Sequence, residues 1–307
     1  MLGPMQGLTN RVTRAVFDAT SSPDVLFTEF VRVTPGKEQL IARSDTVEAT
    51  STSGDVPLVV QVIGSADEGV VEATRDLVGR GVQHINVNMG CPWGRMTSVL
   101  SGGGMFRAPQ TVAPMLSALR AIVPGSLSVK TRAGLEDDRE IFTVLEGFEA
   151  AGIDFLVVHP RTVAQKYRGD ANHDLTRELV RRCPWPVIAN GDVTTVAEAE
   201  RVLEHTGAAG LMLGRGAIAD PLLFERIRGR APANVSAAER QRQLARHYLA
   251  LLDGFEDVFC GDAQILAKLK EHLAHVDDDE QRRFIKKLKK QRTVDGARAA
   301  LHDALAA

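Results

Sequence analysis

One cysteine of this sequence stands where a thiol can react. Asn88-Met89-Gly90-Cys91-Pro92 sets it between a glycine and a proline that fixes the backbone behind it. A cysteine at an arbitrary position is most often a small buried hydrophobe. A lone thiol at the mouth of an enzyme cavity is instead a proton donor or a nucleophile. Cys183, just before Pro184-Trp185-Pro186, reads as structural, and Cys260, beside Gly261, has no chemical context. Three cysteines so scattered form neither a disulfide framework nor a zinc site. No metal is expected, and the thiols suit a reducing, cytoplasmic compartment.

Other polar residues repeat one theme. Lys130 is flanked by Val129 and Thr131, where a solvated lysine would be out of place. It either pairs with a carboxylate or brings positive charge to a phosphate or an electron-rich ring such as a flavin. Gln61 both donates and accepts, as the pyrimidine edge of such a ring requires. Asn190-Gly191-Asp192 and Gly214-Arg215-Gly216 set free backbone N–H groups beside a guanidinium. They are either tight turns or a phosphate cradle. His159, followed by Arg161-Thr162, meets a phosphate, a flavin or a backbone carbonyl. Ser101-Gly102-Gly103-Gly104 indicates loop mobility or close packing at a helix start.

What these residues share is a place in a repeating pattern. Apolar runs fall around Met1–Met5, Val25–Phe30, Leu58–Ile63, His84–Asn88, Leu127–Lys130, Phe155–His159, Val187–Asn190 and Gly210–Gly214. Amphipathic stretches such as Glu68–Arg80, Pro109–Ile122, Arg139–Ala150, Leu175–Arg182 and Val196–His205 separate the later ones. This alternation predicts an α/β fold, a (β/α)8 TIM barrel over residues 1–232. An open doubly wound sheet is the rival, but no GxGxxG turn follows the first run. In such a barrel the ends of the strands carry the active site. Six of the eight runs end in polar or ionisable side chains, among them Glu29, Gln61, Asn88, Lys130, His159 and Asn190. Only Met1-Leu2 precede Gly3-Pro4-Met5-Gln6, so the first strand is short.

After Pro221 the pattern changes. Gly229–Asn234 reads as a linker, and Ser236 with Glu239 as a capping box. Helical spacing over Ala237–Leu252, Ala263–Val276, Asp279–Gln291 and Asp295–Ala306 predicts a small all-helical domain spanning 236–307. Its charge is clustered in Arg282, Arg283, Lys286, Lys287, Lys289 and Lys290, opposite Phe284, Ile285 and Leu288. That face is either solvated or meets RNA phosphates. The net charge of −2 supplies no global field for nucleic acid. Hydrophobic residues at 44% and charged residues at 25% fit a soluble globular chain. Neither a signal peptide nor a membrane span is expected.

Together the motifs resemble the tRNA-dihydrouridine synthase family over essentially the whole chain. Gly3-Pro4-Met5-Gln6-Gly7 resembles its opening A-P-M-x-G, and Asn88–Pro92 its N-x-G-C-P signature. Ser128–Gly134 resembles V-K-x-R-x-G, and His159-Pro160-Arg161-Thr162 with Gln165, Tyr167 and Gly169 resembles H-x-R-T-x-x-Q-x-Y-x-G. AKLKEHLA at Ala267–Ala274 is similar to a tail helix that grips tRNA. The resemblance implies FMN held by Pro4, Met5, Gln6, Gln61, Lys130, His159, Asn190, Gly191, Asp192, Gly214 and Arg215. It implies Cys91 as catalytic acid and Asn88, Arg132, Arg161, Tyr167, Lys268 and Lys270 on the tRNA side. NADPH or NADH would be the reductant, and a monomer is expected. Thr28–Val33 is similar to the subgroup acting at U16 of the D-loop. Where the family carries a basic residue and Val after Cys-Pro, this chain has Trp93-Gly94-Arg95-Met96, so its recognition loop differs in detail. A small-molecule dihydropyrimidine or dihydroorotate oxidoreductase, or an RNA-binding relative without catalysis, are the rival readings. Loss of activity on deleting the chain after Ala233 is expected only for an RNA substrate.

Overall fold

The computed structural model describes residues 1–34, 36, 39–52, 54–66, 68–93 and 100–306, so Arg95 and Met96 lie outside the described residues. Seven of the eight apolar runs give strands, β1 (Leu26–Phe27), β3 (Leu58–Ile63), β4 (His84–Met89), β5 (Leu127–Arg132), β6 (Phe155–His159), β7 (Val187–Asn190) and β8 (Gly210–Met212), while the short strand β2 (Val31–Arg32) lies just beyond the run at Val25–Phe30. Each named pair is parallel, in the order β1-β3-β4-β5-β6-β7-β8, with β2 also on β3. Such strands are covered on both faces, which explains why β3 and β4 are buried at all but their first residue.

The sheet curls into a barrel-like wall that is not fully closed. The run at Met1–Met5 is not a full strand: only Leu2 bridges, with Leu26 on one side and Leu213 on the other. The chain leaves the sheet there because Pro4 has no N–H to give, and the Met5 carbonyl turns to accept from Leu8 and Thr9. The run at Val25–Phe30 is likewise interrupted. At Thr28 the side-chain hydroxyl accepts the Gln61 N–H at 3.0 Å, taking the place of a ladder carbonyl.

Helices Glu68–Gly79, Val112–Arg120, Phe142–Ala151, His173–Arg182 and Val196–Thr206 cover the outside of the sheet. Thr195 and Glu198 form a complete capping box that opens the last of these. Leu77, Ile85, Leu116, Leu127, Phe148 and Leu156 are fully buried between sheet and helices. Each such side chain contributes roughly 1.5–3 kcal/mol over exposure.

The tail forms helices Ala237–Glu256, Asp262–Leu273, Arg282–Lys289 and Val294–Ala306. Ser236 caps the first by accepting the Glu239 N–H. The apolar core of the tail takes in Val12 and Val16 from helix Arg11–Ser21, so it is built against the barrel. Asp220, paired with Arg226 at 2.8 Å and Arg240 at 2.5 Å, ties the linker region to the first tail helix. Among the described residues, no helix is long and apolar enough to cross a membrane, and no group of three side chains could hold a metal ion.

Candidate active site

Two adjoining cavities open at the C-terminal ends of the strands. One, of about 500 Å³, is lined by Met5, Gln6, Gln61, Asn88, Cys91 and Lys130 among others. The second, of about 510 Å³, runs from Lys130 past Asn190–Asp192 to Gly214 and Arg215. Pro4, Met5, Lys130, His159, Tyr167, Arg215 and His275 line both. The result is one elongated space with a thiol at one end and a glycine-backed cationic cradle at the other.

The thiol end is held by its backbone. Asn88 Oδ1 accepts the N–H groups of Gly90 and Cys91, each at 3.0 Å, which turns the chain and leaves the Cys91 side chain half-buried. The glycine run then packs directly on this turn. Gly103 donates to the Cys91 carbonyl at 3.3 Å, and a Cβ there would lie 2.4 Å from Val163. Close packing, rather than mobility, accounts for those glycines. Beneath them the Asn88 amide donates to Gln61, Gln61 to Asn86, and Asn86 to Ser128, each at 2.8 Å. This buried chain of side chains crosses β3, β4 and β5 and fixes the rotamers of Gln61 and Asn88.

The cationic end is held by side chains. Arg161, 3% exposed, makes a bidentate pair with Asp192 at 2.9 and 2.6 Å. It also donates to His159 Nε2 at 3.1 Å and to the Gly169 carbonyl. His159 is therefore a neutral acceptor at Nε2, and burial followed by the charges of Lys130, Arg132 and Arg161 pushes its pKa far below the usual imidazole value. The pKa of Asp192 is lowered: burial is the largest influence and opposes the change, but hydrogen bonds from Arg161 and the Ala171 N–H overcome it. Gly191 sits at φ +125°, and a Cβ there would lie 3.2 Å from the His159 ring. Arg215, half exposed, reaches Asp192 at 3.6 Å.

Between the two ends, Lys130 donates to Asn190 Oδ1 at 2.9 Å, and Asn190 donates to the Met212 carbonyl. Burial first, then the charge of Arg132, lowers the Lys130 pKa to about 7, with Cys91 acting in the opposite direction. Arg132 is buried and donates to the carbonyls of Gly90, Thr162 and Lys166. Tyr167 lies between the guanidinium groups of Arg132 and Arg215, at 5.3 and 4.9 Å from its ring.

The cavity residues named from the sequence thus converge, with two qualifications. Arg161 and Arg132 spend their donors on the protein. Lys268 is not in the cavity but donates to the Gly7 carbonyl at 3.1 Å and to Glu271 at 2.9 Å, and Lys270 is half-buried on the same helix. Two features had no clear sequence signal. His275 and Asp277, after helix Asp262–Leu273, reach over the barrel mouth and line the cavity. Asn86 and Ser128 complete the buried amide chain. Glu29, a strand-end residue named from the sequence, lines neither cavity but accepts the Gly7 N–H at 2.8 Å, and burial raises its pKa to about 7.

A phosphate-bearing planar cofactor fits this space. Gly191 and Gly214 leave its backbone bare, Lys130 and Arg215 supply the charge, and Pro4-Met5 and Gln61 supply a flat wall. Curled parallel sheet, strand-end cavity and anion cradle define an α/β barrel-type enzyme. The fold is similar to that of the old yellow enzyme from Trypanosoma cruzi, with a TM-score of 0.54 at 12% identity over 83% of this chain and 93% of that one. It is also similar to histamine dehydrogenase from Rhizobium sp. 4-9, with a TM-score of 0.58 at 12% identity over 83% of this chain and 48% of that one.

A sequence profile of the family "Dihydrouridine synthase (Dus)" matches residues 1–305, and the chain belongs to that family. It is 34% identical over 235 residues to a tRNA-dihydrouridine(16) synthase of Cupriavidus necator, covering 74% of this chain and 73% of that protein. It is 30% identical over 279 residues to tRNA-dihydrouridine synthase B of Pseudomonas syringae pv. tomato, covering 89% and 80%.

Proposed function

We propose that this protein is an FMN-dependent tRNA-dihydrouridine synthase that reduces the C5=C6 bond of a D-loop uridine, with U16 as its target. The observation that carries the reading is the shared cavity: Cys91 stands at one end of the space that Lys130 and the Asn190–Asp192 and Gly214–Arg215 loops bound at the other. The name of the Cupriavidus relative and the Thr28–Val33 segment favour U16.

FMN held here and reduced by a nicotinamide donor, NADPH or NADH, would supply the hydride equivalent that C6 of the uracil requires. Cys91 holds a proton at Sγ and delivers it to C5, where charge develops. Asn88 fixes the Cys91 backbone, and the second N–H of its amide remains to orient the uracil. Gln61, with one donor and one acceptor already used on either side, offers its remaining N–H to the cofactor ring. Lys130 brings positive charge to the same ring. Arg215 and the Gly191 and Gly214 backbone receive the phosphate, while Arg161 acts through Asp192 by holding that loop. The target base leaves its stack to reach the cavity. Phosphates of the folded tRNA meet the exposed basic face of helix Arg282–Lys289, whose Phe284, Ile285 and Leu288 are buried.

Mass-spectrometric mapping of dihydrouridine in tRNA from cells with and without this protein tests the reading. Loss of dihydrouridine at position 16 alone is expected. Unchanged dihydrouridine at every position defeats the assignment, and loss at another position moves the target.

A further inference from the structure

Among the described residues, the exposed large apolar side chains are Val47, Trp93, Leu100 and Tyr167. Scattered exposed apolar residues are ordinary. The two aromatic ones, however, both line the cavity that ends at Cys91. Both also carry cations over their rings. Lys166 Nζ lies 4.6 Å from the centre of the Trp93 ring, and Arg132 and Arg215 flank Tyr167. Trp93 is 54% exposed and follows Cys91 by two residues.

The Lys166 contact is built rather than incidental. Lys166 sits at φ +54°, a conformation that L side chains rarely adopt. Its carbonyl accepts from Arg132 at 2.5 Å, and its N–H donates to Val163. The same Arg132 holds the Gly90 carbonyl beside Cys91. One buried guanidinium thus couples the turn that aims Lys166 to the turn that presents the thiol.

We infer that Trp93, with Lys166 over its ring, is a stacking platform for a nucleobase adjacent to the uridine that enters the cavity. The inference rests on the function proposed above. A base that leaves its stack uncovers the face of its neighbour, and an indole can cover that face whatever the base. Lys166 meanwhile stands where the connecting phosphate passes. An RNA strand is the favoured occupant because it must cross this rim whenever a uracil lies against Cys91. The adenine of a dinucleotide is under no such constraint.

Fluorescence reads the contact directly. The chain has two tryptophans, so Trp185→Phe leaves Trp93 as the sole indole of the holoenzyme. Saturable quenching of its emission by unmodified tRNA is expected. Trp93→Ala should raise the KM for tRNA about tenfold, with a much smaller change in kcat, and Trp93→Phe should restore most of the loss. Emission that does not respond to saturating tRNA overturns the inference, as does an unchanged tRNA KM in Trp93→Ala. So does a KM change confined to the nicotinamide donor. If the wild-type protein neither binds nor reduces tRNA, the functional reading has failed first and takes this inference with it.

Discussion

The two walls of the cavity are held in different ways. On the side proposed for the cofactor, the Asn190–Asp192 loop is braced by a buried bidentate guanidinium, and a neutral His159 and a capping box close around it. On the side proposed for the substrate, the Cys91 N–H donates to the Asn88 side chain and the Cys91 carbonyl accepts from the Gly103 N–H, and the aromatic rim beyond is exposed. The contrast suits their tasks. A tightly held prosthetic group gains from side chains fixed before it binds, whereas a large substrate that enters and leaves needs a surface open to solvent.

The strongest way to break this comparison is to remove the brace. Arg161→Ala leaves Asp192 without its bidentate partner and should cost about 3 kcal/mol of stability. The purified protein should emerge largely depleted of yellow flavin. Flavin content and thermal unfolding measure both effects, and a fully loaded variant of unchanged stability would remove the distinction between the walls.

Glu29 braces Gly7, between the Gln6 and Leu8 that line the opposite wall. Its carboxyl ionises at about 7 in the folded chain, chiefly through burial, against 4.5 unperturbed. Well below pH 4.5 both folded and unfolded chains carry the proton and the group costs nothing. As pH rises through this window the unfolded chain ionises first, so stability falls until the folded carboxyl has also ionised above about 7. Glu29→Gln should therefore match the wild type near pH 4 and exceed it by about 3 kcal/mol near pH 8. Denaturant unfolding at the two pH values checks the sign.

The smallest effect is expected where the walls meet. Lys130→Met removes the cation bonded to Asn190, and should weaken FMN binding about tenfold, or about 1.4 kcal/mol. Flavin titration of the apoprotein measures it. Equal affinity would place the charge of Lys130 away from the cofactor.

Much of this site was legible in the sequence because its parts are short motifs at the ends of apolar runs. Cys91, Lys130, Asn190 and Arg215 could be placed by strand order alone, since parallel strands all deliver their C-terminal ends to one mouth. What was not legible depended on contacts distant in sequence. Nothing in Leu2 announces that one residue would span the gap between β1 and β8. Nor do His275 and Asp277 show from their own neighbourhood that the tail folds back over the cavity. That last contact changes the meaning of a truncation. Removing the chain after Ala233 strips part of the cavity lining as well as the tail, so loss of activity would follow for a small substrate too.

The thiol remains the centre of the account. Wild-type and Cys91→Ala proteins, each with its flavin already reduced, can be mixed rapidly with unmodified tRNA while flavin absorbance is followed. The account predicts equal flavin content and reoxidation by tRNA at least about 100-fold slower in the variant. Reoxidation at the wild-type rate in Cys91→Ala would contradict it.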